Sequence, residues 1–436
     1  MSKAKAKKAR QPKEVIKLFK KSMLNIAKEL DKNPQDITPA QFWANDEENL
    51  PEWEVRRIGG FANLKNLYFP KESSKEDVVL KRTGDMLKER IKKVQDDLGT
   101  RRLIADELTA NLKEIVGQIN FKVHKSLPKQ KKSAKKAERT IIAHLSDTHY
   151  GCNVDKTEMG GLNEYNWEIA SRRTALFFKQ IVDYKPQHRD QTEVVLLVNG
   201  DIIAGMIHNT EWFVDLLTTQ FAGTLNILTQ GISYLSANFK KVRVVMTPGN
   251  HGRSMRKVDH GRATTHKWDS YETQIFVAVR EVIKAKCTNV EVEVPVAPFG
   301  IFEAQGHTYF VTHSDTVINA GNPGSALQMK SINNQINKLN ASELGGEAKF
   351  AAVICGHIHT PTVQLMESGC MLILNGCLSG LDPFALSIGI FDSNPTQQLF
   401  EATEKHAVGD MRFIQVKGAD KDASLDAIIE TPKRPF

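Results

Sequence analysis

The sequence predicts a large layered α/β domain behind a small all-α module. Three observations carry that reading. From Thr140 onward, strand-like apolar runs alternate with amphipathic helical stretches. Upstream, the chain holds only short helical periods joined by Gly-containing turns. Hydrophobic residues make up 41% of the 436 positions and charged residues 25%, ordinary globular proportions that exclude wholesale disorder, collagen and a coiled-coil rod. That length suggests two or three domains at roughly 100–200 residues each.

Residues 1–12 read as a disordered basic tail, and 13–70 as the helical module. Val15, Ile16, Leu18, Phe19, Met23, Leu24, Ile26, Ala27 and Leu30 recur at helical spacing. Thr38-Pro39 is an N-cap with Pro at the first helical position, opening a helix with Phe42 and Trp43. Another runs from about Glu52 to Ile58, stopped by Gly59-Gly60, and the last carries Phe61, Leu64, Leu67 and Tyr68 on one face. This is either a helix-turn-helix-like unit or a helical cap on the main domain. If it reads DNA, Arg56, Arg57, Asn63 and Lys65 are the exposed candidates. Residues 71–139 read as a helical arm and basic linker. Apolar residues from Leu87 to Ile119 form one or two long amphipathic helices, suited to a spacer, a packed arm or a homodimer contact.

Residues 140–417 read as one domain, and 418–436 as a C-terminal tail. Strands are expected at TIIAHLS, Glu193 to Val198 and Val242 to Met246, with helices at Trp167 to Tyr184, Glu211 to Leu235 and Trp268 to Lys286. Beyond residue 288 the texture is strand-rich, with one helical insert from Ala326 to Leu339.

The formal net charge of +8 is uneven. Residues 1–22 and 121–139 together hold 17 Lys/Arg against two Glu, leaving 42 basic and 49 acidic residues elsewhere. Two basic strips on a mildly acidic body fit a polyanion such as DNA, because Lys/Arg contacts to phosphates release counterions; a solvated tail and linker is the plainer alternative. No apolar run approaches the roughly 20 residues of a membrane helix. The start, MSKAKAKKAR, has no apolar stretch behind it, so no secretory signal is expected. Five scattered cysteines without a CxxC pair predict a reducing, cytoplasmic setting.

The residues with chemistry stand where strands end: Asp147-Thr148-His149, Asn199-Gly200-Asp201, Gly249-Asn250-His251, Thr312-His313-Ser314-Asp315 and Gly356-His357-Ile358-His359. In an open α/β sheet, ligands bind beyond the carboxyl ends of strands. Side chains at i and i+2 of an extended segment share a side, so Asp147 can aim with His149, and His357 with His359. Imidazoles, carboxylates and one amide suit Mn, Fe or Zn rather than Ca. Seven donors exceed one tetrahedral ion and suit two ions roughly 3.5–4 Å apart. Glycines before Asp201, Asn250 and His357 permit close backbone approach.

The set DTH, NGD, GNH, THSD and GHIH resembles the calcineurin-like metallophosphoesterase superfamily over roughly residues 140–400. GDIIAGMIH and GNHGR are similar to members encoded by bacteriophages and prophages, for which the host cytoplasm would be the setting. The resemblance implies a two-layer β-sandwich flanked by helices and two divalent metal ions, Mn first, with Fe, Zn or Mg as alternatives. It implies that Asp147, His149 and His359 hold one ion, that Asn250, His313 and His357 hold the other, and that Asp201 bridges them. His251 would stabilise the transition state and protonate the leaving oxygen. Gly252 departs from the pattern, in which an acid often follows the histidine and orients it; Asp259 or Asp269 would have to substitute. His208, Arg253 and Arg256 are candidates to stand behind the ligands or contact a phosphate, with solvated loop residues as the alternative.

Two cations would lower the pKa of a bound water, and the resulting hydroxide would attack phosphorus in line. The expected substrate is DNA, cut by a nuclease, plausibly a nicking endonuclease. The alternatives are a phosphatase acting on phosphoproteins or nucleotides, and a non-catalytic DNA-bound regulatory protein; a complete donor set argues against the last.

Overall fold

A computed structural model describes residues 10–46, 48, 50–69, 123–128, 138–184, 192–206, 214–254, 267–346, 349–387, 389–391 and 394–432. The basic tail up to residue 9, the arm with the series from Leu87 to Ile119, most of the basic linker, and His208, Arg256 and Asp259 lie outside the described residues.

The N-terminal unit contains α1 (Pro12–Glu29), α2 (Pro39–Asn45), α3 (Glu52–Arg57) and α4 (Gly60–Tyr68). Thr38 and Gln41 form a reciprocal capping box at the start of α2. Val15, Phe19, Met23, Phe42, Val55 and Leu64 bury one face of each helix in a shared core. The Phe42 ring lies 5.0 Å from Phe19 and 5.2 Å from Phe61. Arg56, Arg57 and Asn63 are exposed. Lys65 departs from expectation: its ammonium is half-buried and donates to the carbonyls of Gln35 (2.9 Å) and Ile37 (3.3 Å). Those carbonyls lie around a short 3-10 turn with no helical partners, so the lysine is spent on closing the module.

The second unit is built on two sheets. The first has the order β11-β10-β1-β2-β3-β4, formed by Met411–Gln415, Thr396–Thr403, Arg139–Leu145, Thr192–Asn199, Val242–Thr247 and Val290–Glu293. The second has the order β5-β6-β7-β9-β8, formed by Phe299–Ala304, His307–Thr312, Ala352–Cys355, Met371–Leu374 and Thr362–Leu365. Strands β1 to β4 are parallel, as are β6, β7 and β9.

Alternation along the strands decides the layering. Ile142, Val195, Leu197 and Val245 face Phe302, Tyr309, Val311 and Ile354 between the two sheets. Their neighbours Ile141, Ala143, Leu145, Val194, Leu196 and Val244 point the other way, under α5 (Trp167–Asp183), α6 (Leu217–Asn238) and α7 (Tyr271–Lys286). The outer face of the second sheet, with Phe310, Val353 and Leu372, is covered by Ile332 and Ile336 of α8 (Met329–Asn340). The fold is a two-layer β-sandwich flanked by helices. Among the described residues, no helix is long and apolar enough to cross a membrane.

The stretch beyond residue 417 is not a free tail through residue 432. Leu425 and Ile429 are buried, and Asp420 and Asp426 pair with Arg173 and Arg172 of α5. Arg173 is itself fully buried, and a guanidinium out of water requires a carboxylate. Part of the expected linker also belongs to this unit. His124 N–H donates to Ser233 Oγ, and Leu127 N–H donates to the carbonyl of Ser236, both on α6.

Candidate metal centre

The parallel strands of both sheets end on one side, and the loops just past β1, β2, β3, β6 and β7 carry the donors. Asp147, His149 and His359 each offer one ligand atom within 4.8 Å of the others. Asp201, His313 and His357 form a second such group, and His149, Asp201 and His251 a third. Asp147, Asp201 and His313 are buried; His251 and His359 remain partly exposed.

The pairing of neighbours along the chain has a different cause from the one periodicity suggests. Asp147, His149, Asp201, His357 and His359 all have left-handed backbone, with φ between 48° and 72°. They lie beyond the pleat, so strand alternation does not aim them. Non-glycine residues in this region cost roughly 1–2 kcal/mol each, and five of them in one cleft mark a site where surrounding hydrogen bonds enforce the strain. The loops also approach closely: a Cβ on Gly249 would stand 2.1 Å from Asp201 Oδ1.

The donors suit cations. His313 Nδ1–H donates to the Asn199 carbonyl at 2.9 Å, which leaves Nε2 facing Asp201 Oδ2 at 2.9 Å. Holding the outer ring nitrogen by a backbone carbonyl is how proteins fix a ligating imidazole. Asn250 Oδ1 is buried and has no hydrogen-bond partner among the described residues, a costly state for an amide oxygen unless an ion satisfies it. His149 Nε2 and His359 Nε2 face each other at 3.2 Å, so that once His359 gives up its proton both nitrogens can direct lone pairs at one point. Asp147 is held behind by Ser146 Oγ at 2.5 Å and by the His357 N–H at 3.0 Å. Asp147, His149 and His359 would thus hold one cation, and Asn250, His313 and His357 the other, with Asp201 in reach of both sets.

Titration behaviour carries the same message. Burial pushes both aspartates up, but the imidazoles outweigh it: His359 and His313 hold Asp147 below its ordinary value, and His313 and His251 hold Asp201 well below. Burial likewise pulls His313 down, yet Asp201 and Asp147 raise it to about 9. His359 rises to about 10 against its burial, through Asp147. Without cations, protons on two imidazoles balance the buried carboxylates. His357 falls to about 4 and His149 also drops, through burial and neighbouring imidazolium charge.

The His251 Nδ1–H donates to the Ala204 carbonyl at 2.7 Å, and its Nε2 lies 3.9 Å from Asp201 Oδ2. Asp259 lies outside the described residues. Arg253 is half-buried beside the ligands, its Nε donating to the Asn250 carbonyl at 2.8 Å. Sequence reasoning missed two features nearby. Lys267 and Asp315 form a buried ion pair. Glu272, fully buried in the first turn of α7, accepts from backbone N–H groups of two ligand loops. An acid in a first helical turn is an ordinary sequence feature, so nothing local distinguished it.

A family model described as calcineurin-like phosphoesterase matches residues 140–361, just over half of the chain. The chain belongs to the calcineurin-like phosphoesterase family. It is therefore a metallophosphoesterase, with a donor set fit for the two metal ions that this family uses. No curated protein matches it in sequence. Among solved structures it is similar to a dimetal phosphatase from Danio rerio, at 10% identity over 64% of this chain and 99% of that one, with a TM-score of 0.31. It is also similar to 5′-nucleotidase from Candida albicans, at 10% identity, 70% and 58% coverage and a TM-score of 0.29. A third is the sulfate thiohydrolase SoxB from Thermus thermophilus, at 10% identity, 69% and 60% coverage and a TM-score of 0.28. The chain spans less than two thirds of the length of the last two.

Proposed function

We propose that this metallophosphoesterase is a phosphodiesterase that acts on DNA, as a nicking nuclease. The observation that carries the reading is charge: two strips of Lys/Arg flank an otherwise acidic chain. Exposed Arg56 and Arg57 beside exposed Trp53 give the N-terminal module a cationic, aromatic surface suited to a nucleic-acid backbone.

Bound in the two donor groups, divalent cations, Mn first, supply Lewis acidity and an activated water at neutral pH. The chain's own residues do the rest. Asp147 and Asp201 provide the negative charge that retains the cations. His313, tied to Asn199, keeps its Nε2 turned inward. His251, with Nδ1–H committed to Ala204, has Nε2 left to deliver a proton to the leaving oxygen. Arg253, half-buried and tied through Nε to the Asn250 carbonyl, would meet a phosphate oxygen.

A second reading, a phosphatase acting on phosphoproteins or nucleotides, draws support from Arg253, because a half-buried guanidinium suits the extra charge of a monoester. The test supplies Mn²⁺ to the full chain with supercoiled plasmid, bis-para-nitrophenyl phosphate and para-nitrophenyl phosphate. Conversion of plasmid to open circles supports the nicking reading, smears indicate exonuclease action, and turnover of the monoester alone supports the phosphatase. Loss of salt-sensitive DNA binding on removal of residues 1–103, with the diester still hydrolysed, would assign DNA capture to the N-terminal unit.

A further inference from the structure

Glu272 is a fully buried carboxylate that no step above uses. Its Oε1 accepts from Ile202 N–H at 2.5 Å and Ile203 N–H at 3.3 Å, and its Oε2 accepts from Gly249 N–H at 2.7 Å. The first two amides directly follow Asp201, and the third directly precedes Asn250. One side chain, projecting from the start of α7, therefore ties together the two loops that supply ligands to a single cation.

The surrounding backbone is shaped to admit it. Gly252 is buried and its carbonyl accepts from Tyr271 N–H at 2.7 Å, while Arg253 bridges to Ser270, the N-cap of α7. A Cβ at residue 252 would stand 2.5 Å from Glu272 Cγ and 2.9 Å from its Cβ and Cδ. Residue 252 is thus glycine because the Glu272 side chain already fills that volume. A side chain on residue 252 and the Glu272 side chain cannot both occupy this volume.

We propose that Glu272 is the positioning residue for the cation site of Asp201, Asn250, His313 and His357, and that Gly252 and Glu272 are a mutually exclusive pair. The proposal rests on reading this cleft as the metal centre of a phosphoester hydrolase. Glu272 touches no reacting atom. It acts by holding Asp201 in its left-handed backbone, φ 50°, and by keeping the Asn250 loop against it.

The test measures Mn²⁺ stoichiometry and affinity by calorimetry on the full chain, with far- and near-ultraviolet circular dichroism as a check of folding. Glu272→Ala is expected to weaken one of two Mn²⁺ sites by about 10–100-fold while the site of Asp147, His149 and His359 stays near its original affinity. Gly252→Glu alone is expected to weaken the same site through collision. The double variant Gly252→Glu/Glu272→Ala is expected to bind no more weakly than Glu272→Ala alone, because the collision is relieved, whereas a general weakening of the core would add the two losses. Glu272→Gln, the variant to read if alanine prevents folding, keeps one acceptor, turns an N–H₂ on a backbone donor and is expected to weaken the same site.

Wild-type affinity at both sites in folded Glu272→Ala or Glu272→Gln would overturn the proposal. So would a double variant whose loss is the sum of the two single losses. A wild-type chain that binds two Mn²⁺ but hydrolyses no phosphoester would remove the functional reading and leave this one standing on the metal data.

Discussion

The backbone N–H of His251 donates to Asp201 Oδ1 at 2.7 Å. The carboxylate shared by two of the three donor groups therefore also fixes the loop of His251. Asp201→Asn keeps an oxygen for that N–H and removes the charge. It is expected to stay folded and to lose Mn²⁺-dependent diester hydrolysis by on the order of 10²-fold or more, as metal retention fails. Asp201→Ala, which also releases the loop, should be at least as inactive. Full activity in either variant would refute the site.

For His251 the leaving group is the diagnostic. A general acid contributes about 10²–10⁴-fold when the departing oxygen needs a proton. His251→Ala should therefore cost that much on a DNA or alkyl phosphodiester. On bis-para-nitrophenyl phosphate, whose phenolate leaves unaided, it should cost less than about 10-fold. Equal losses on both substrates would contradict the acid role.

Metal binding should release protons. His313 and His359 hold theirs to about 9 and about 10 without cations, and a ligating imidazole must be neutral. At pH 7 each ion must displace about one proton, so apparent affinity should rise with pH until those values are passed. Calorimetry in buffers of different ionisation enthalpy counts the protons, and a count of zero would refute this account.

His144 is buried beneath the centre, with Nε2 accepting from Asn199 Nδ2 at 3.0 Å. Burial, aided by His313 and opposed by Asp147, lowers it to about 3. The unfolded chain binds this proton near pH 6.5 and the folded chain does not. Stability is therefore present above pH 6.5 and falls as pH drops toward 3, by on the order of 1 kcal/mol per pH unit. His144→Gln should flatten that decline in urea unfolding between pH 4 and 7; an unchanged slope would count against it.

In the N-terminal unit, lysine and arginine should separate. Lys65→Ala removes two hydrogen bonds from a charged donor and should destabilise this unit by about 1–3 kcal/mol in urea unfolding. Arg57→Ala, on an exposed residue, should leave stability unchanged, weaken DNA binding and lower its salt slope by about one. Arg56→Ala should behave alike, since its exposed pair with Glu52 contributes little.

Much of the architecture was legible because hydrophobic period is a local property. The helix N-capped by Thr38, the strand from Arg139 to Leu145 and the insert now seen as Met329–Asn340 each announce themselves within a dozen residues. Short apolar signals were harder. Leu425, Ile428 and Ile429 span barely one turn and read as tail until α5 is seen beneath them.

By itself, the sequence determined which atoms could bind a cation, because donor chemistry belongs to residue type and strand ends predict where such residues gather. Only the tertiary structure decided what aims them: the left-handed backbone at Asp147 and His357, the Ala204 carbonyl on His251, and Glu272 filling the space beside Gly252. A hydrogen bond to a backbone amide or carbonyl depends on where a distant segment passes, and that path leaves no mark on the identity of the residue that meets it.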